Sequence, residues 1–418
     1  MPSTVCCPNP LRGYFWLGTF DRASKLLRLD YAARADVMLA QQYNAIVVGL
    51  GAMGSATLYH LARRGWRVLG LEQFAPGHTR GSSHGDSRII RETYFEHPLY
   101  VPLVRRAHEL WRDLEKRSGT SLMTITGGLM IGPQGGTVVS GTLRSAAEHR
   151  LPHEVLTPIE VRERFPAFRL AESLVAVFDP RAGFLDPEAC NRGHIQLARE
   201  AGAEARFNES VLDWIPEGKG VRVMTAAGEY TADRLVLTAG PWNGGLLPDL
   251  ELPLTIERQA VFWLEPEGDP SHYDVARFPI YAYEYRAGNI CYGFPRLPRG
   301  IKASVMHDGE TALDPDQVRR TVEDPEVDPL RAALRPILPA LSQARLRETD
   351  VCLFTNTPDH DFIIDFHPFC PEALISSPCS GHGFKFSSAI GEIHADLLMK
   401  GKTEFDLSPF RIGRWAAS

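Results

Sequence analysis

The chain has no long apolar run. No stretch of about 18 consecutive apolar residues occurs, so a transmembrane helix is not expected. Cysteine is sparse and unpatterned: seven residues, at positions 6, 7, 190, 291, 352, 370 and 379, with no C-x-x-C pair. An odd, scattered set argues against a disulfide scaffold or zinc ribbon and fits a reducing, cytoplasmic compartment. There is no H-E-x-x-H and no complete P-loop, and a nucleophile elbow is not expected either. Zinc-peptidase, P-loop and α/β-hydrolase readings therefore lose their support. No metal centre is expected. Positive charge is not in excess: 45 Lys and Arg stand against 51 Asp and Glu, a formal net charge of −6. That is the opposite of a nucleic-acid footprint. No repeat of fixed period and no low-complexity segment is present, which removes solenoids. No basic segment followed by an apolar one opens the chain, and Ala416-Ala417-Ser418 is not a targeting tripeptide. Neither a secretory signal nor a membrane anchor is expected.

What is present is the composition of a soluble globular protein, 44% hydrophobic and 23% charged. A length of 418 residues predicts two domains or one large discontinuous unit. Residues 1–42 read as an extension with no element connecting them to the rest of the chain, and 1–37 in particular as poorly ordered or a start-site artefact. Met38 stands just before the first clear strand.

From residue 43 the pattern sharpens. Asn44 to Val48 is a short apolar run bounded by Gly49, which predicts a buried parallel strand. Gly49, Gly51 and Gly54 then form G-x-G-x-x-G. Ser55 to Arg64 reads as a helix ended by Gly65, and Trp66 to Leu71 as a second strand closed by Glu72. In this βαβ context the glycines have defined tasks. Gly49 permits the tight turn, Gly51 lets backbone approach a pyrophosphate, and Gly54 lets helix and strand pack closely. The helix N-terminus meets the anion with unpaired N–H groups. Glu72 can accept from a ribose hydroxyl and disfavours a 2′-phosphate, so NADP is not expected. The long, irregular segment Pro76 to Arg91 suits FAD better than NAD. Arg88 and Arg91, three apart, are expected to share the face of a helical turn and to hold a carboxylate.

Further along, Tyr100 to Lys116 and Pro187 to Ala201 read as helices. Gly220 to Met224 and Glu229 to Thr231 read as a hairpin, with Leu235 to Thr238 as a separate buried strand. Residues 255–265 and 279–294 predict antiparallel strands, and Asp316 to Arg335 a helix containing prolines. Phe362 to Asp365 and Leu374 to Ser376 are strands, and Gly383 to Lys400 a final helix. Ser380 to Lys385, between strand and helix, supplies N–H groups and a cation suited to negative charge on a reduced flavin. Taken alone, Cys352 reads as a small core hydrophobe. Lys302 reads as a solvated lysine on a strand edge, and His307 carries no more by itself.

Taken together these residues resemble a family. The run of Gly49-x-Gly51-x-x-Gly54, His84-Gly85-Asp86-Ser87-Arg88-Ile89-Ile90-Arg91, Tyr292-Gly293-Phe294-Pro295, Val351-Cys352, Phe362 to Pro368 and Ser380 to Ser387 closely resembles the monomeric sarcosine oxidase and N-methyltryptophan oxidase family. These are FAD-dependent amine oxidases of the D-amino acid oxidase superfamily. The likeness covers residues 43–412. It implies an α/β fold in which a Rossmann-type FAD-binding domain (43–90, 180–245, 345–412) is interleaved with an α+β substrate domain on an antiparallel sheet (91–179, 246–344). It implies FAD held covalently through Cys352, with Ser82, His84, Ser87, Arg88, Gly381 and Gly383 among the cofactor-binding residues. Arg91 and Lys385 match a pair that grips the substrate carboxylate, Tyr292 a pocket tyrosine, and Lys302 the lysine that activates oxygen. Arg88 and His84 match groups near the flavin ring.

Three departures stand out. The family's histidine falls four residues after the lysine, whereas His307 is five after Lys302. Phe354 stands in place of a tyrosine, and Ala282 in place of a larger pocket residue. The implied reaction is oxidation of a secondary α-amino acid bulkier than sarcosine to an imine, with O2 reduced to H2O2, by a monomer. The alternatives are a non-covalent FAD dehydrogenase or D-amino acid oxidase type enzyme, and a flavin-binding homologue without turnover.

Overall fold

In the computed structural model residues 42–415 are described. The expected extension lies outside them, except Gln42, which already opens the first strand. That strand, Gln42–Val48, shows why its sequence is continuously apolar. Ala45 and Val47 face a helical layer, while Ile46 and Val48 face a second apolar cluster on the other side. A strand buried on both faces has no polar side to show.

The βαβ unit forms as read, with Val48 opposite Leu71 in a parallel pair. Its helix, Ala52–Ala62, begins three residues earlier than expected, because the glycine turn itself supplies the first turn, with Gly51 as N-cap. Gly65 takes the left-handed conformation at φ +88°. The second strand is shorter than its apolar run, Val68–Leu71.

Around this unit lies an eight-stranded sheet. Its order is Val211–Glu217, Gly220–Thr225, Gly228–Leu237, Gln42–Val48, Val68–Leu71, Glu204–Arg206, with Cys370–Ser377 and Ile363–His367 joined beside Gly228–Leu237. The expected hairpin arm and the expected buried strand are one element. Gly228–Leu237 is antiparallel to its hairpin partner in its first half and parallel to the first strand from Thr231 to Leu237. Helices Ala52–Ala62, Tyr100–Ser118, Pro187–Glu200 and Ser387–Lys400 pack together against one face.

A nine-stranded sheet follows a different plan: Glu310–Ala312, Thr255–Glu265, Gly300–Val305, Asn289–Leu297, Ile280–Arg286, Gly128–Pro133, Leu174–Asp179 and Glu154–Leu156, with Arg345–Asn356 also on Thr255–Glu265. All pairs are antiparallel except Ile280–Arg286 with Gly128–Pro133, so the expected antiparallel sheet is mixed. Arg345–Asn356, grouped by sequence with the nucleotide-binding segments, hydrogen-bonds within this second sheet. The helix expected over 316–335 is confined to Asp328–Leu334. Prolines at 315 and 325 sit in short 3-10 turns before it, where each removes an amide donor, whereas Pro329 is tolerated in the helix's own first turn.

Candidate active site

A cavity of about 480 Å³ is lined by residues of both sheets. From the first come Gly49, Gly51 and Glu72; from the second come Ala282, Tyr292, Lys302, Cys352 and Phe354. The short strand Arg88–Ile90 adds Arg88, and the connecting segments add Ser82, His84, Ser87, Arg91, Gly381, Gly383 and Lys385. Every residue expected at the site lines this one cavity except Gly54 and His307.

Gly54 acts behind the wall. A Cβ there would stand 1.8 Å from the Gly49 carbonyl oxygen and 2.6 Å from Thr238 Oγ1. Gly49 has φ +84°, and a Cβ on it would lie 2.7 Å from the Thr238 carbonyl oxygen. The turn therefore exists only with glycine at both positions. Glu72 is buried and accepts from Leu50 N at 2.8 Å and Phe74 N at 3.0 Å. Burial raises its pKa, and those two amides work against the rise.

Arg88 and Arg91 do not share a helical face. Arg88–Ile90 is a strand paired with Gly183–Leu185, so residues three apart diverge. Arg88 Nη2 donates to the Ser82 carbonyl at 2.7 Å and lies 3.3 Å from Cys352 Sγ. Arg91 instead pairs with Glu96 at 2.5 Å. The two arginines thus have different partners, Arg88 the Ser82 carbonyl and Cys352, Arg91 the Glu96 carboxylate.

Lys302 is no edge lysine. Gly300–Val305 lies between two other strands, and Lys302 is 2% exposed. Its Nζ donates to the Gly85 carbonyl at 2.6 Å and the Ser87 carbonyl at 2.9 Å, beside the Trp263 and Phe294 rings. Burial and then the nearby Arg88 push its pKa well below the usual lysine value. The loop that receives it is braced: Glu188 accepts from Gly85 N at 2.6 Å, and Asp86, at φ +67°, accepts from Trp263 Nε1 at 3.2 Å.

Cys352 sits on Arg345–Asn356, buried, with Sγ toward the Ser82 carbonyl at 3.6 Å. His84 Nδ1 lies 3.2 Å from Asp350 Oδ2. Although burial opposes it, the His84 contact holds Asp350 below its ordinary pKa. Lys385 is 4% exposed and donates to the His382 carbonyl at 2.6 Å. Burial and then Arg91 bring it down to about 7, against the pull of Glu96. Burial pushes the Tyr292 phenol up to about 12, so it stays protonated.

His307 turns away from the cavity. At φ +55° its Nδ1 meets Glu257 at 3.0 Å and its ring packs on His360 and Phe354. Met306, four residues after Lys302, takes the lining position. Sequence reasoning missed Met306, Glu96, Tyr94 and Glu188, since only the strand register and loop packing bring them here. It also overlooked that Gly81-Ser82-Ser83-His84-Gly85 has nucleophile-elbow spacing. Ser83 Oγ lies on an irregular loop and accepts from Ala52 N at 3.2 Å, and Ser83 has no histidine hydrogen-bond partner, so no hydrolase triad forms.

The donor set fits a dinucleotide flavin. Ser87 Oγ, His84 Nε2, Thr355 Oγ1 and Ser376 Oγ are buried without a hydrogen-bond partner, and all four residues line the cavity. Buried polar groups are normally paired, so these await a polar ligand. The glycine turn supplies the close backbone approach at one end, and a second turn, with Gly381 at φ +75°, supplies another. The FAD-dependent oxidoreductase family matches residues 44–397. The chain belongs to this family.

Within the family it is 42% identical to the monomeric sarcosine oxidase of Streptomyces avermitilis, over 91% of this chain and 100% of that protein. It is 35% identical to the N-methyl-L-tryptophan oxidase of Yersinia pestis, over 89% and 99% of the two chains. Among solved structures, NikD, an unusual amino acid oxidase essential for nikkomycin biosynthesis, superposes in its open form with a TM-score of 0.76 at 26% identity, covering 89% of this chain and 97% of that one. This member is thus an FAD-dependent oxidoreductase of the sarcosine oxidase and N-methyltryptophan oxidase group. Among the described residues no helix is long and apolar enough to cross a membrane, and no cluster of three His, Cys, Asp or Glu is placed to hold a metal.

Proposed function

We propose that the protein oxidises a secondary α-amino acid, N-alkyl or cyclic and bulkier than sarcosine, to an imine, with FAD joined to Cys352 and O2 reduced to H2O2. The observation that carries this reading is the separation of cations in one cavity. Arg91 and Lys385 gather on the Tyr94 ring, while Lys302 is fixed apart on the Gly85 and Ser87 carbonyls. The names of the relatives support an N-methyl amino acid as the substrate class and a monomer as the working form.

FAD, when bound, supplies the acceptor for a hydride from the carbon next to nitrogen and passes the electron pair to O2. The chain's own residues do the rest. Arg91 and Lys385 hold the carboxylate and so orient the amine carbon. Phe354, Met306, Tyr292 and Ala282 form an apolar wall that excludes water. Phe354 brings no hydroxyl and Ala282 leaves room, which supports a bulky substituent. The Gly85 and Ser87 carbonyls that accept from Lys302 Nζ favour its charged form against the burial, and as an ammonium it has a third N–H for the cavity, where it stabilises negative charge developing on oxygen. Arg88 and Ser82 hold the Cys352 sulfur in place. Water hydrolyses an acyclic imine product.

The test is the visible spectrum of the purified protein, read on pellet and supernatant after acid denaturation, followed by peroxide release with an amino acid panel. The expected result is colour in the pellet and better kcat/KM for bulky N-methyl or cyclic amino acids than for sarcosine. Colour wholly in the supernatant favours a non-covalent oxidase or dehydrogenase. Sarcosine as the best substrate overturns the inference from Ala282. Flavin that no amino acid bleaches points to a binding homologue.

A further inference from the structure

Tyr94 lies three residues after Arg91 and is fully buried. Its ring carries both cations of the carboxylate end: the Arg91 guanidinium carbon is 4.2 Å from its centroid and Lys385 Nζ is 5.2 Å away. Its hydroxyl lies 3.4 Å from Lys385 Nζ and 2.6 Å from His382 Nδ1. His382 Nε2 in turn stands 3.0 Å from the His360 carbonyl oxygen.

The polarity of this row follows from its far end. A carbonyl only accepts, so His382 Nε2 carries the hydrogen. Burial holds the imidazole neutral, its pKa brought down to about 4. Nδ1 is then an acceptor, and the Tyr94 hydroxyl donates to it. The phenol oxygen is left to accept from Lys385. Lys385, Tyr94, His382 and His360 therefore form one hydrogen-bonded row in which every donor points outward from the cavity. Each donation makes the next oxygen or nitrogen inward a better acceptor.

We propose that Tyr94 is a positioning residue for Lys385: its hydroxyl, polarised by His382, keeps the Lys385 ammonium charged and aimed at the substrate carboxylate. The proposal rests on the carboxylate-binding reading of Arg91 and Lys385 given above. It answers a physical difficulty of that reading. Two cations buried side by side repel, and burial strips them of water. One carboxylate, Glu96, offsets part of this through its ion pair with Arg91. A second carboxylate beside Lys385 would compete with the substrate's own. A neutral, polarised phenol solvates the ammonium without neutralising the site.

The groups facing Lys385 and its row are few. Arg91 and Glu96 stand beside it, its Nζ also donates to the His382 carbonyl at 2.6 Å, and its own backbone carbonyl is held by Trp111 Nε1 at 2.9 Å. Behind Tyr94 and His382 lies Tyr100, whose hydroxyl donates to Asp361 at 2.6 Å. Beyond the His360 carbonyl the His360 ring lies tilted against that of His307, 4.6 Å between centroids.

The experiment measures the dissociation constant of propanoate, a carboxylate with no amine to oxidise, on the flavin-loaded protein. It is read by perturbation of the visible spectrum from pH 5 to 9. Wild type is expected to lose affinity as pH rises through Lys385 deprotonation, and Lys385→Met to lack that limb. Tyr94→Phe, which keeps the ring, is expected to move the limb about one unit toward acid, with near-wild-type affinity at pH 5 and about tenfold weaker binding at pH 8. His382→Phe, which preserves stacking on Phe362, is expected to move it the same way by less. A limb that stays in place in Tyr94→Phe, or weakening equal at every pH, overturns the proposal. Propanoate binding that does not vary with pH and that Lys385→Met leaves intact overturns instead the carboxylate reading beneath it.

Discussion

In the first sheet, the expected residues meeting the cavity are close in sequence, although Val211, Leu212 and Ser376 from other strands of that sheet also line it. Gly49, Gly51 and Glu72 come from one βαβ unit, and what they offer is mainly backbone: a turn, amides, a helix end. In the second sheet they are distant. Ala282, Tyr292, Lys302 and Cys352 come from four different strands, and what they offer is side chains. Register sets that second group: Tyr292 is opposite Ala282 and Ser304, Lys302 opposite Trp263, and Cys352 opposite Gln259. Backbone recognition tolerates little change of shape but asks little of chemistry. Side-chain recognition tolerates substitution structurally and loses function selectively.

The difference is broken most severely at Gly54. Valine there must displace the Gly49 carbonyl, which a Cβ would approach to 1.8 Å. Overpacking of this kind costs about 3 kcal/mol. Gly54→Val is expected to lower the melting temperature and abolish flavin content together, read as the ratio of 450 to 280 nm absorbance. A variant that still loads flavin fully would show that the turn can yield.

At Lys302 the opposite is expected. Lys302→Met removes a cation but preserves much of the volume packed between Trp263 and Phe294. The protein should fold and take up FAD, while stopped-flow reoxidation by O2 slows by about 100-fold or more and reduction by substrate far less. Equal losses in both half-reactions would contradict the separation of cations on which the proposed function rests.

Acid stability sharpens the contrast more gently. The helices on the first sheet bury His60, His194 and His394, whereas no strand of the second sheet holds a buried histidine among the described residues. Burial brings His194 from 6.5 down to about 3. Its contribution to stability is therefore fully present above pH 6.5. It is lost as pH falls, because the unfolded chain takes up a proton that the folded state refuses until about pH 3. The slope is about 1.4 kcal/mol per pH unit for each such group. Urea unfolding of His194→Phe should lose about 2 kcal/mol less than wild type between pH 7 and pH 5. An unchanged slope would mean that this histidine is not the group charged on unfolding.

Legibility in the sequence follows the same division. The βαβ unit could be read because its periodicity, glycines and acidic terminator fall within one short window. Helix Tyr100–Ser118 could be read because its apolar stripe repeats every three to four residues. The 316–335 segment could not, since its composition is helical while its prolines forbid the helix. Arg88 and Arg91 were read on the wrong geometry because a spacing of three has meaning only once helix or strand is decided. Lys302 read by itself looked exposed because nothing local shows that two strands flank its own.

The sequence by itself determined the two strands of the βαβ unit, the glycine turn between them and the resemblance to an FAD-dependent amine oxidase, since these depend on residues a few positions apart or on motifs in a fixed order. Tertiary structure alone decided that Lys302 is buried on two carbonyls, that Met306 rather than His307 lines the cavity, and that Tyr94 and His382 stand behind Lys385. Those facts depend on strand register and on the left-handed turn at His307. Register is set by pairing across long chain separations, and a shift of one residue reverses which side chain faces the cavity.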